Sequence, residues 1–172
     1  KMQSILNRIY GREKGDAAFT RLSAVMDTFS AKLSGVAGGF FTESDTILIT
    51  YGDTLLQQSE PPLQTLHRFS IDHFKGAFSG IHILPFFPYS SDDGFSVTNF
   101  QAVRPDLGSW LDIESIGSEF KLMVDLVANH VSAKSQWFQA YLAGDQGFRE
   151  LAIEVDPAAD LSGVTRPRAL PL

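Results

Sequence analysis

From Thr46 onward the chain alternates short β-branched runs with amphipathic stretches of helical period, and this alternation is the strongest constraint on its fold. The β-branched runs are Thr46–Thr50, Ile81–Leu84 and Phe120–Val127. The stretches predicted to be helical are residues 62–78, 109–116 and 135–144. Strands that alternate with helices form βαβ units, in which helices cover a parallel sheet. The pattern therefore predicts an α/β fold, with the third run buried on both faces.

Local signals mark the ends of the helix predicted over residues 109–116. Ser109 with Asp112 resembles a capping box, in which each residue satisfies a backbone group of the other. Gly117 is predicted to lie just past the end of this helix. In the helix after the third run, Ser135 is the predicted cap and Gly144 the predicted stop.

Residues 1–45 have a different pattern and are predicted to be helical. Apolar residues recur at i, i+3, i+4, i+7 and i+11, which is the spacing of one helix face; they are Leu22, Val25, Met26, Phe29 and Leu33. Asp16 is a candidate N-cap of this helix. Three glycines are predicted to end it in a loop: Gly35, Gly38 and Gly39. We therefore divide the chain into an N-terminal helical extension, residues 1–45, and an α/β region, residues 46–172.

Composition excludes several classes of partner. The formal net charge is −6 and no cluster of Lys and Arg is present, so no nucleic-acid partner is expected. No apolar run approaches the roughly 20 residues of a membrane span, and residues 1–9 lack a signal peptide. Small molecules are therefore the expected partners. The absence of cysteine fits a reducing compartment, so we expect a cytoplasmic protein. Since the chain begins with Lys1, translation is expected to start upstream.

Polar residues follow each predicted strand. The carboxyl ends of parallel barrel strands form the active site, so these residues are expected to face one pocket. They are Tyr51 and Asp53 after the first strand, Ser90–Phe95 after the second, and Asp125, Asn129 and His130 at the third. Carboxylates, an imidazole and aromatic faces suit a polyhydroxylated ligand, because hydroxyls take paired hydrogen bonds and a sugar ring packs on aromatic carbon.

Each of these groups also has a purely structural interpretation. Asp92-Asp93-Gly94 fits a turn, Asp125 fits a loop cap, and His130 fits a structural imidazole. No metal site is predicted, because the acidic ligands of a calcium loop do not alternate here. Trp110, Trp137 and most of the phenylalanines are predicted to be core residues.

Three segments resemble the α-amylase superfamily, glycoside hydrolase family 13. Residues 123–130 contain Asp-x-x-x-Asn-His, similar to the family's first signature region at the end of strand three. Residues 82–97, His-Ile-Leu-Pro-Phe-Phe-Pro-Tyr-Ser-Ser-Asp-Asp-Gly-Phe-Ser-Val, resemble the sucrose phosphorylase branch, as do residues 164–172. Residues 1–45 resemble the helical leader of the glucosylglycerate phosphorylase branch.

The resemblance implies a (β/α)8 barrel, of which this chain would contain about the first three βα units, because a complete barrel needs about 250 residues. It implies that Asp93 binds the distal hydroxyls of a glucosyl unit, that Phe95 lies beneath the sugar, and that His130 binds the 6-hydroxyl. Asp125 would orient an arginine near the nucleophile, and Asn129 would hold the loop geometry. Tyr51 and Asp53 are expected to support the pocket.

The resemblance also implies a reaction: phosphorolysis of an α-glucoside, glucosylglycerate or sucrose, to α-glucose 1-phosphate by inorganic phosphate, with retention of configuration. The family's nucleophile lies after strand four in Gly-x-Arg-x-Asp and its acid/base Glu after strand five, and neither motif occurs in these 172 residues. We therefore expect the chain to be an inactive fragment of a longer enzyme. A hydrolase or transglucosidase of the same superfamily, or a non-catalytic remnant, is the alternative.

No cofactor is implied by these segments. The acceptor (glycerate, fructose or fructose 6-phosphate) and the oligomeric state cannot be deduced from these residues.

Overall fold

The structure is a computed structural model that describes residues 1–33, 41–152 and 154–164. The chain forms two compact units, Lys1–Phe41 and Thr42–Leu172, whereas the sequence-based division was placed at residues 45 and 46. Among the described residues, no helix is long and apolar enough to cross a membrane.

Two helices that pack against each other form the N-terminal unit: α1 (Met2–Tyr10) and α2 (Arg12–Leu33). Gly11 separates them with a φ of 76°, a conformation that glycine adopts without steric cost. Gly15 is buried where the helices meet, and a Cβ there would lie 2.6 Å from the Cα of Asn7. The close approach of α1 and α2 therefore requires glycine at position 15.

Asp16 connects the two helices, so its predicted role as an N-cap is wrong. It lies inside α2, and its Oδ1 accepts hydrogen bonds of 2.9 Å from the side-chain amides of Gln3 and Asn7. The bond from Asn7, and then that from Gln3, lowers the pKa of Asp16. The predicted loop at Gly35, Gly38 and Gly39 lies outside the described residues.

The second unit alternates strands and helices as predicted. In chain order its elements are β1 (Ile47–Thr50), α3 (Pro62–Phe74), β2 (Gly80–Ile83), α4 (Trp110–Glu119), β3 (Lys121–Val124) and α5 (Gln136–Leu142). The three strands are parallel and lie in the order β1-β2-β3. The predicted α/β fold, with three successive βα units of a barrel after a helical segment, is confirmed.

Two helix ends differ from the prediction. Helix α3 ends at Phe74 rather than residue 78, because Lys75 is extended and Gly76 has a φ of 90°. Helix α4 continues to Glu119, so Gly117 lies inside it and does not end it. The capping box of Ser109 and Asp112 is present, and the Ser135 side chain caps α5 as predicted.

The hydrophobic core lies on the helix-covered face of the sheet. Ile81 and Ile83 of β2 are fully buried there. They belong to one cluster with residues of α3 and α4, which are Leu63, Leu66, Ile113 and Ile116. The long connection from β2 to α4 adds Phe86, Val97, Val103 and Leu107 to the same cluster. That connection is therefore anchored to the core and is not a free loop.

Strand β3 is not buried on both faces, and that prediction is wrong. The exposed fractions are 39% at Met123 and 45% at Val124. The reason is that β3 lies at one edge of the three-stranded sheet in the described part of the chain. Trp110 was predicted to be a core residue but is also exposed, at 42%.

Asp45 connects the amino-terminal ends of all three strands. It precedes β1, accepts a backbone hydrogen bond of 2.8 Å from Thr42, and accepts a longer one of 3.4 Å from the hydroxyl of Ser79, just before β2. Its Oδ1 also pairs with the ammonium of Lys121, the first residue of β3. This carboxylate therefore links the three strands at the end opposite the predicted site.

We predict that Leu66→Ala destabilises the protein by about 2–5 kcal/mol, because it leaves a cavity in the core. Leu111→Ala is the matched control, since Leu111 is 72% exposed on α4 and alanine is a strong helix former. The free energies of unfolding in urea measure both changes. Equal losses for the two variants would contradict the core described above.

Candidate functional site

Asp53, in the loop after β1, is held by an arginine from the β2–α4 connection. The guanidinium Nη2 of Arg104 lies 2.6 Å from Asp53 Oδ2. Tyr51, two residues earlier, is 38% exposed. Asp53 therefore joins the loop after β1 to the β2–α4 connection. Its role in supporting a binding pocket stays a prediction.

Arg104 was not among the predicted site residues. Besides Asp53, its Nε lies 2.8 Å from Asp106 Oδ1, and its guanidinium lies 5.5 Å from the ring centroid of Tyr89. Burial lowers its pKa, but the hydrogen bonds to Asp53 and Asp106 outweigh this and raise it overall. Nothing in the sequence pairs Arg104 with Asp53, because the two residues are 51 positions apart.

The loop after β2 contains a tight turn at Asp92–Gly94, closed by a 2.9 Å hydrogen bond that the backbone N–H of Phe95 donates to the carbonyl oxygen of Asp92. All three residues have a positive φ: 62° at Asp92, 48° at Asp93 and 100° at Gly94. A Cβ on Gly94 would lie 2.8 Å from the carbonyl oxygen of Pro85, so glycine is required there for space as well as for conformation. The turn interpretation of this segment is therefore correct, and it leaves Asp93 exposed to solvent.

His130 and Phe95 are joined directly. The Nε2 atom of His130 lies 2.9 Å from the backbone carbonyl oxygen of Phe95, which accepts the bond. The ring of Phe95 is partly buried against the core. A second link, 2.6 Å between the hydroxyls of Ser90 and buried Ser132, joins the same two loops. The segments after β2 and β3 are thus fixed to each other.

Asp125 directly follows β3 and contacts a histidine on the neighbouring strand. Its Oδ2 lies 2.9 Å from Nε2 of His82, and the two side chains are 25% and 15% exposed. His82 was not among the predicted site residues, because one histidine in an apolar strand gives no signal of its partner. Asn129, four residues after Asp125, is exposed.

Four of the seven predicted site residues make three contacts at the carboxyl ends of the strands: Asp53 with Arg104, His130 with Phe95, and Asp125 with His82. The other three predicted residues, Tyr51, Asp93 and Asn129, take no part in these contacts. That they face one pocket stays a prediction. Within residues 1–33, 41–152 and 154–164, no three or more His, Cys, Asp or Glu side chains are grouped to hold a metal ion.

A cavity of about 350 Å³ lies between the β2–α4 connection and the start of α5. It is lined by Thr98, Asn99, Gln101, Lys134, Gln136 and Trp137. The ring of Trp137 stacks on Phe100, with the centroids 5.4 Å apart. None of the predicted site residues lines this cavity. Trp137, which does line it, was predicted to be a core residue.

Comparison with known proteins identifies the class to which this arrangement belongs. The model of the alpha-amylase catalytic domain matches residues 72–170, which is more than half of the chain. The chain therefore belongs to the alpha-amylase catalytic-domain family. The family resemblance expected from residues 82–97 and 123–130 is confirmed.

Within that family, several similar curated proteins are phosphorylases. The chain is 50% identical to glucosylglycerate phosphorylase of Allomeiothermus silvanus over 99% of its own length, and 41% identical to glucosylglycerate phosphorylase of Escherichia coli over 100%. A solved structure, sucrose 6F-phosphate phosphorylase from Thermoanaerobacter thermosaccharolyticum, superposes on 63% of the chain with a TM-score of 0.54 and 37% identity.

The chain spans only part of these relatives. It covers 30% of the A. silvanus protein, 31% of the E. coli protein and 21% of the solved structure. The match to the A. silvanus protein covers 99% of the chain and so includes residues 1–45. This agrees with the resemblance of the helical leader to the glucosylglycerate phosphorylase branch.

We predict that Arg104→Lys lowers the free energy of unfolding by about 1–2 kcal/mol, because lysine cannot reach Asp53 and Asp106 together. Arg68→Lys is the matched control: Arg68 pairs with Glu60 but is 48% exposed, so its change is expected to be about 0.5 kcal/mol or less. Urea unfolding measures both. An equal effect at the two positions would show that Arg104 does not hold the loops together.

Proposed function

We propose that the chain is part of a retaining α-glucoside phosphorylase, which transfers a glucosyl unit from glucosylglycerate or sucrose to inorganic phosphate. The observation that carries the proposal is the 50% identity, over 99% of the chain, to a protein named glucosylglycerate phosphorylase. The phosphorylase relatives share the predicted small-molecule partners, an α-glucoside and phosphate. The choice between glycerate, fructose and fructose 6-phosphate as acceptor stays open.

We assign the sugar contacts to three residues at the carboxyl ends of the strands. Asp93 binds the distal hydroxyls of the glucosyl unit, Phe95 supplies an apolar surface beneath the ring, and His130 binds the 6-hydroxyl. Two observations support this assignment: Asp93 is exposed to solvent, and the imidazole of His130 is held by its hydrogen bond to the carbonyl of Phe95.

Four further residues have supporting roles in the proposal. Asp125 orients an arginine near the nucleophile, and Asn129 maintains the loop after β3. Tyr51 and Asp53 shape the wall formed after β1, where the ion pair of Asp53 with Arg104 stabilises the loop.

The chemical step requires groups beyond those in this chain. Retaining glycosidases use a carboxylate nucleophile and a carboxyl acid/base about 5–5.5 Å apart, and pass through a covalent glycosyl-enzyme intermediate. In a phosphorylase, phosphate oxygen attacks the anomeric carbon of that intermediate, the bond to the enzyme carboxylate breaks, and glucose 1-phosphate leaves. Neither motif for these two carboxyl groups occurs in the 172 residues, so the proposed part of this chain in catalysis is to hold the glucosyl unit.

We predict that the product of the full reading frame forms glucose 1-phosphate from an α-glucoside only when phosphate is present. Coupled assays for glucose 1-phosphate and free glucose measure the two products. Free glucose in equal amounts with and without phosphate would instead identify a hydrolase, and a rearranged disaccharide a transglucosidase. A polypeptide limited to the 172 residues is the control and is expected to be inactive; phosphorolysis by it would refute the assignment of catalysis to groups outside this chain.

We predict that Asp93→Asn lowers kcat/KM of the full-length protein roughly ten- to a hundredfold, because a hydrogen bond to a charged group is lost. Asparagine tolerates the positive φ of this position, so the turn is kept. Asp92→Asn is the matched control, one residue away in the same turn, and is expected to have a much smaller effect. If Asp92→Asn were the variant that lost activity, the assignment of the sugar contact to Asp93 would be wrong.

A further inference from the structure

His82 lies on the face of the sheet that points away from the helix-covered core. On β2 it lies between Ile81 and Ile83, which are fully buried against α3 and α4. Successive side chains of a strand point to opposite faces, so burial of the two isoleucines turns His82 to the other face. The backbone of β2 thereby fixes where the imidazole can reach.

The register of the sheet brings this imidazole to Asp125. His82 is paired with Met123 of β3, and Asp125 follows two residues later on the same side of the chain. The diagonal contact is made, with Nε2 of His82 2.9 Å from Oδ2 of Asp125. Because an ionised carboxylate can only accept, the Nε2–H group donates this bond.

The contact orders the end of β3, where the chain leaves the sheet. Asp125 lies just beyond Val124, the last residue of the strand, and is followed by exposed Leu126. Among the residues that the structure describes, His82 is the side chain bonded to the Asp125 carboxylate, and the bond is to Oδ2. One carboxylate oxygen is therefore held by the neighbouring strand, and Oδ1 is the oxygen that this bond does not use.

We propose that His82 is a positioning residue for the glucosyl-transfer site, acting through Asp125. The inference rests on the proposed function, in which Asp125 orients an arginine near the nucleophile. With Oδ2 held by the imidazole, the carboxylate is presented to that guanidinium in one orientation. A hydrogen bond to one oxygen restricts the rotation of the carboxylate about its Cβ–Cγ bond, and alignment of reacting groups is a large part of catalytic rate.

The first arm of the test compares three variants of the full-length protein: His82→Leu, His82→Gln and Met123→Leu. Leucine removes the donor, glutamine keeps an N–H at a similar reach, and Met123→Leu changes the neighbouring position on the same face without touching Asp125. We expect His82→Leu to lower kcat for total glucoside cleavage roughly ten- to a hundredfold. Its KM is expected to change little, His82→Gln to recover most of the loss, and Met123→Leu to behave like wild type.

The second arm combines His82→Leu with Asp125→Asn. If the imidazole acts through the carboxylate, the double variant loses no more activity than Asp125→Asn alone, since residues in one contact are not additive. Three results would overturn the inference. The first is additive losses in the double variant, and the second is equal losses for His82→Leu and His82→Gln. The third is a loss for Met123→Leu as large as that for His82→Leu. Thermal unfolding of each variant identifies any loss of activity that comes from failure to fold. If His82→Leu fails to fold, the activity of His82→Gln decides whether the inference stands.

Total cleavage is measured as the sum of glucose 1-phosphate and free glucose. The proposed phosphorylase activity fails if the product is free glucose regardless of phosphate, and the kcat comparison at His82 still decides the inference in that case. If phosphorolysis is found and the His82 variants behave like wild type, the inference fails while the proposed function stands.

Discussion

The rest of the α/β unit depends on strand β2, which places two isoleucines in the core on one face and a histidine on the other. Ile81 and Ile83 anchor the strand against α3 and α4, and burying two such side chains contributes roughly 3–6 kcal/mol before entropy is counted. Because the same strand is central in the sheet, it sets the register of both neighbours. The position of His82, and through it the direction of Asp125, then follows from packing on the opposite face.

Polar contacts add the precision that apolar packing cannot supply. The loops at the carboxyl end of the sheet are long and contain little regular structure, yet each is tied to another: Arg104 reaches Asp53, and His130 reaches the carbonyl of Phe95. The β2–α4 connection is also held by its own buried residues, such as Val97. Side chains that bind a sugar need these supporting contacts, since a displacement of about 1 Å of a binding group removes much of its contribution to the rate.

The sequence predicted the order and type of the α/β elements because apolar periodicity and capping signals act locally, as at Ser109 with Asp112. It failed where the outcome depends on distant residues. The role of Asp16 depends on Gln3 and Asn7 across a helix pair, and the exposure of β3 depends on which strands lie beside it. In the site, family motifs indicated Asp93, Phe95, Asp125 and His130, but Arg104 and His82 become visible only when the loops and strands are placed in space.

Asp45 makes the amino-terminal end of the sheet sensitive to strong acid. The hydrogen bond from Lys121, and then that from the Thr42 backbone, lowers the pKa of Asp45 from 3.8 to about 2. A carboxyl group with a depressed pKa stabilises the folded state fully above its unfolded value, and this contribution disappears as the pH falls from about 3.8 toward about 2. Protonation of Asp45 would therefore weaken the contacts that join the starts of the three strands, and this loss would be complete only near pH 2.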